Sequence, residues 1–169
     1  MARPSTLVKI VSGGQTGVDR AALDVALELG IACGGWCPRG RIAEDGVIAA
    51  SYPLRETESS DYAERTRSNV RDSDATLVLT RGRPSGGTAL TLDFARMLGR
   101  PSMVIDLSVP STGAADSAGT WIEAEGVAIL NVAGPRESTS PGIHQEASAF
   151  LRELLGWGGH RQKPALGPQ

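Results

Sequence analysis

Cysteine and histidine are scarce in this chain, with two of each among 169 residues. Cys33 and Cys37 are too few for a disulfide scaffold. Their C-x-x-x-C spacing lacks partners and makes a poor zinc motif, so no bound metal is expected. A thiol at Cys37 is either buried and apolar or reactive, and both readings stay open. An excess of one charge is also missing. The formal net charge is -2, which gives no case for nucleic acid or a membrane surface as partner. No apolar run is long enough to span a membrane, and the N-terminus carries no signal-peptide pattern. The expected location is the cytoplasm. No internal repeat stands out, and the length suits one domain, expected over residues 1–155. Residues 156–169 hold glycine, proline and polar residues and read as a flexible tail.

What the chain has is strand and helix patterning in alternation. Apolar or β-branched runs predict strands over 7–11, 31–36, 75–80, 102–107 and 127–132, with a brief edge strand over 52–56. Helices are predicted over 18–29, 61–72, 88–98 and 120–125. A last one is expected from Ser140 as cap and Pro141 as first residue through 155. Residues 39–51 read as loop with a short helical turn, and 108–119 as a mobile surface loop. Alternation of this kind predicts a single doubly wound, mostly parallel α/β sheet with helices on both faces.

Glycine is plentiful, at 21 residues, and much of it gathers in loops. Ser12-Gly13-Gly14-Gln15-Thr16-Gly17 follows the first predicted strand and opens a helix. Such a turn lets backbone approach a ligand and aims first-turn N–H groups at an anion. It is not G-x-G-x-x-G, so a dinucleotide reading is weak. Thr16 is a candidate N-cap, with Asp19 in capping-box position; Arg20 lies on the surface or reaches the anion. Ser85-Gly86-Gly87-Thr88 starts another helix, and Gly134-Pro135-Arg136-Glu137-Ser138 leaves the last strand. Loops at strand carboxyl ends share one sheet edge, which makes these three candidates for one ligand site. Arg39 and Arg41 flank Gly40, either as a phosphate clamp or as solvated arginines. Arg65 and Asn69 are spaced to share a helix face. Trp36 reads as core or as a stacking platform. Glu137 and Asp19 are the candidate carboxylates for acid–base work, and Glu137 alternatively pairs with Arg136 or caps a helix.

The segments VSGGQTGVDRAALD, GGWCPRGRIAEDG, YPLRET, VRDSDATLVLTRG, SGGT and LNVAGPRES together resemble the molybdenum cofactor carrier family related to the YpsA proteins. That family is Rossmann-like, and its wider superfamily includes the lysine decarboxylase-like phosphoribohydrolases. The resemblance implies a pocket for a nucleotide or another phosphorylated heterocycle, with molybdenum cofactor or a nucleotide as the bound ligand. It also suggests a homo-oligomer. The hydrolases carry P-G-G-x-G-T-x-x-E with a catalytic glutamate. Here Gly87-Thr88 matches the G-T, Arg65 matches a family arginine, and Thr91 stands at the glutamate position. A threonine cannot serve as a general acid near neutral pH. The expected function is therefore a binding protein whose ligand touches Gly13, Gly14, Gln15, Thr16, Gly17, Arg39, Arg65, Gly86, Gly87, Thr88, Gly134, Arg136 and Ser138. An N-glycosidase and a nucleotide-sensing module remain the alternatives.

Overall fold

The computed structural model describes residues 3–156. The tail expected over 156–169, and His160 with it, lies almost wholly outside them. Among the described residues nine strands and five helices form, in the order β1 (Lys9–Val11), α1 (Val18–Glu28), β2 (Ala32–Gly34), β3 (Trp36–Cys37), β4 (Ile42–Ala43), β5 (Gly46–Val47), β6 (Arg55–Glu56), α2 (Tyr62–Arg71), β7 (Ala75–Thr80), α3 (Gly86–Met97), β8 (Ser102–Asp106), α4 (Ala114–Ala124), β9 (Ile129–Ala133) and α5 (Ile143–Leu154). Five of these strands make one sheet, ordered β2-β1-β9-β7-β8, with every pairing parallel. Among the described residues no helix is long and apolar enough to cross a membrane.

This order has a simple meaning. Counted from β9 rather than from β1, the strands run 3-2-1-4-5 across the sheet, the order of doubly wound nucleotide-binding folds. The chain therefore has that topology with its first strand–helix unit moved to the C-terminus. The switch point, where successive strands begin to add on the other side, lies between β9 and β7.

The two faces of the sheet differ in chemistry. Leu77, Leu79, Leu130, Val132 and Ile10 join the apolar side chains of α1, α4 and α5 in one buried cluster. Alternation sends Thr76, Thr80 and Asn131 to the opposite face, beside α2 and α3. There Asn131 Nδ2 donates to Thr76 Oγ1 at 3.2 Å. β7 is buried at all six positions, as the centre of a parallel sheet should be.

Three local expectations give way. Residues 42–47 form an antiparallel hairpin, β4 with β5, rather than a helical turn. Arg41 holds its base, donating to the carbonyls of Ile48, Ala49, Tyr52 and Leu54. α4 starts at Ala114, inside the stretch read as loop; its alanines are strong helix formers. α5 starts after Gly142, not at Pro141. The Glu137 carboxylate accepts from the Gly142 and His144 N–H groups and so caps the helix from outside.

Close backbone approach explains Gly134. A Cβ there would stand 2.2 Å from Leu79 O and 2.5 Å from Val18 Cγ2. Because a carbonyl in the central strand cannot yield, Gly134→Ala should cost about 1–3 kcal/mol of stability. Thermal denaturation should then register a fall in Tm of roughly 2–4 °C for each kcal/mol. An unchanged Tm would show that β7 and β9 are less tightly joined than described.

Candidate functional site

A cavity of about 620 Å³ opens at the carboxyl ends of β7 and β9, over the switch point. Gly13, Gln15, Gly86, Gly87, Thr88, Gly134, Arg136 and Ser138 all line it, so the three glycine loops do meet around one space. Gly14, Thr16 and Gly17 are not among the lining residues. Arg39 is exposed and is not among the lining residues. Arg41 is consumed by the hairpin, and Trp36 also stands apart. Its Nε1 donates to Asp72 at 2.8 Å, and Arg55 covers its ring at 5.3 Å. Cys37 is fully buried, and burial pushes its thiol above the usual range, which makes it a packing residue.

The first loop is built differently from a phosphate cradle. Gly17 adopts φ 78° and ψ -129° as the N-cap of α1, a backbone state open to glycine and not to threonine. Thr16 is therefore not the cap. The donors of this loop are mostly spent inside the fold. The Gln15 N–H points to Asp19 Oδ2 at 3.4 Å, the Thr16 N–H donates to Gln15 Oε1, and the Val18 N–H donates to Pro135 O. Arg20 binds Gly14 O and Asp45. It locks the loop to the hairpin and does not line the cavity.

The floor holds an ion pair. Arg65 Nη1 donates to Asp19 Oδ2 at 2.8 Å, and the two side chains are only 13% and 5% exposed. Burial raises the Asp19 carboxyl above its ordinary pKa, against the pull of Arg65. Gly13 makes room for this pair, since a Cβ there would lie 1.7 Å from Arg65 Nη1. Asn69 lines the same floor, but its amide is paired with the Trp36 backbone on both sides.

The rim carries the free charge. Four arginines line the cavity (Arg65, Arg81, Arg83 and Arg136) against one carboxylate, Asp19. Arg65 is neutralised by Asp19, and Arg81 by a two-pronged pair with Glu146 at 2.9 and 2.7 Å. Arg83 is exposed and makes no ion pair with any described residue. Arg136 meets Glu44 only at 3.9 Å and lies 5.5 Å over the Tyr62 ring. Next to Arg83, α3 begins with Gly86 and Gly87, ahead of its first bonds from Thr88 and Ala89 N–H to Ser85 O. Their N–H groups precede the helical ladder, and a Cβ at either position would meet nothing within 4 Å.

Glu44 is the residue that sequence reasoning passed over. Its carboxylate accepts from the Thr16 and Ser138 hydroxyls and from the Ser138 N–H at 3.1 Å. The Glu137 N–H in turn donates to Thr16 Oγ1 at 3.1 Å. The hairpin thereby straps the first loop to the last. These bonds, Ser138 first, hold the Glu44 carboxyl below its ordinary 4.5. The strap is intact above that value and lets go as pH falls through the lowered one. Glu137 is spent as a helix cap, and Thr91 Oγ1 donates back to Gly87 O at 2.9 Å.

Comparison with known proteins agrees with the fold. The family described as circularly permutated YpsA SLOG matches residues 10–155. A crystal structure of a protein from Syntrophus aciditrophicus SB, described as a "putative molybdenum carrier protein", is 44% identical, with a TM-score of 0.87 over 89% of this chain and 96% of that one. No curated protein matches the chain.

Two outcomes follow. Arg65→Ala leaves Asp19 buried without its partner and should cost roughly 3–5 kcal/mol in denaturant unfolding. Less than about 1 kcal/mol would mean that water already reaches the pair. Glu44→Ala removes charge-assisted bonds from a surface strap, so amide exchange at Ser138 should speed up by about tenfold. Unchanged exchange would mean that the loop holds itself.

Proposed function

The chain belongs to the circularly permuted YpsA SLOG family, and from that premise we propose that it is a binding or carrier protein for a phosphorylated nucleotide-like or pterin ligand. One observation carries the reading: a cavity at the switch point whose lining includes Arg83, which makes no ion pair with any described residue, and Arg136, whose ion pair with Glu44 is long at 3.9 Å. Guanidinium groups suit phosphate oxygens because their N–H fork matches them. The phosphate lies between these arginines, against the opening turn of α3 at Gly86, Gly87 and Thr88. Ser138, strapped by Glu44, closes one side. Gly13 and Gln15 form the floor under the ring. Arg39 takes no part.

The name of the Syntrophus protein supports molybdenum cofactor as the cargo. Among the described residues no three His, Cys, Asp or Glu side chains cluster to hold a metal ion. A molybdenum-bearing cargo would be gripped through its phosphate and its ring, with no bond from a protein cluster to the metal.

Carriage is favoured over N-glycosidic hydrolysis by the fate of the carboxylates. Glu137 caps α5, Asp19 is buried against Arg65, and Thr91 offers only a hydroxyl. Among the described residues that line the cavity, the one carboxylate, Asp19, is paired with Arg65, which leaves none free to stabilise the positive charge that develops on a ribose.

Titration calorimetry with inosine monophosphate tests the clamp. Arg83→Ala and Arg136→Ala should each weaken binding by about ten- to a hundredfold, the worth of a charge-assisted hydrogen bond, with Tm unchanged. Arg39→Ala should bind like the parent. Chromatography of the same mixtures over hours should show no free base. Full affinity in both rim variants would sink the clamp, and steady base release would return the protein to the hydrolases.

A further inference from the structure

Two buried side-chain nitrogens on cavity-lining residues have no hydrogen-bond partner among the described residues: Gln15 Nε2 and Arg65 Nε. Both residues are anchored on one oxygen, Asp19 Oδ2, Arg65 through Nη1 and Gln15 through its backbone N–H. Gln15 is only 5% exposed. The orientation of its amide is decided by its neighbours. Oε1 accepts from the Thr16 N–H at 3.1 Å and the Glu44 N–H at 2.9 Å, and turning the amide over would press an NH2 against two donors. Nε2 is thus a donor by necessity. Arg65 Nε can only donate. An enclosed donor left unpaired is costly, so a partner has to be an acceptor.

We propose that this floor is a subsite for an exocyclic oxo group, so that the cavity selects ring systems bearing a lactam carbonyl (hypoxanthine, guanine or pterin type) over amino-substituted rings such as adenine. The inference rests on the binding reading given above and sharpens it. Phosphate is the poorer occupant of the floor. The Asp19–Arg65 pair already cancels there, and a phosphate dianion would lie beside a carboxylate while Arg83 and Arg136 wait at the rim. A carbonyl oxygen accepts two donors and brings no charge. An exocyclic amine would set its own N–H groups against Gln15 Nε2 and Arg65 Nε. A site built to bond one group rejects an analogue that leaves its buried groups unpaired.

Inosine and adenosine monophosphates differ at this one substituent and its ring neighbour, so they form the test. By calorimetry on the wild-type protein, inosine monophosphate should bind about ten- to a hundredfold more tightly than adenosine monophosphate. Gln15→Glu keeps the acceptor for Thr16 and Glu44 and replaces the donor with an oxygen. It should erase or invert that preference, and if the variant fails to fold, the wild-type ratio alone decides. Equal affinities, or a preference for the amino ring, overturn the subsite and mean that water satisfies both donors. The carrier reading then still stands on the Arg83 and Arg136 variants. If neither nucleotide binds at millimolar concentration, the nucleotide reading and the subsite fall together.

Discussion

One contact organises this protein: Arg65 crossing over Gly13 to reach Asp19. The guanidinium fills the space in which any other residue at position 13 would hold its Cβ. Through this contact the start of α1 is joined to α2 beneath the cavity. Both charges are nearly enclosed, so neither can be removed without stranding the other. The pair also makes the floor neutral. A loop that looks like a phosphate cradle becomes a structural joint, with the Gln15, Thr16 and Val18 N–H groups spent inside the fold and Gly13 leaving space for an arginine.

A neutral floor beneath a cationic rim gives the cavity a direction. Arg83 and Arg136 leave β7 and β9, the two strands that border the switch point, so their charges flank the crevice. Arg81, from the same loop as Arg83, is tied to Glu146 and to Pro141 O and serves the fold. The guanidinium groups of this rim differ in their partners: Arg81 is held by Glu146 through two short bonds, Arg136 meets Glu44 only at 3.9 Å, and Arg83 makes no ion pair with any described residue.

Much of the architecture was legible in the residues, for local reasons. ATLVLT at 75–80 is apolar and β-branched throughout, and it became the buried central strand. Asp61, at the start of the helix predicted over 61–72, caps α2 by accepting from the Ala63 N–H. The meeting of the three loops followed from parallel strand topology. What was not legible is non-local. Strand order depends on pairings between residues far apart in the chain, so nothing in LNVAGPRES says that its strand sits between β1 and β7. Arg39 and Arg65 look equivalent as letters, yet one is exposed away from the cavity and the other is locked to Asp19. Glu44 sits in the charged run RIAEDG, which reads as solvated loop until the hairpin brings it to Thr16 and Ser138. The residues alone leave Glu137 between catalysis, pairing and capping, and only the path of residues 138–142 decides for the cap.

The central claim is that the switch-point cavity holds the ligand with its charged end at the rim. A crystal structure of the complex with inosine monophosphate tests it most directly. The account predicts a phosphate between Arg83 and Arg136, against Gly86 and Gly87, and a base over Gln15 and Arg65. A nucleotide bound elsewhere on the surface, or one bound with its phosphate on the floor beside Asp19, would contradict it.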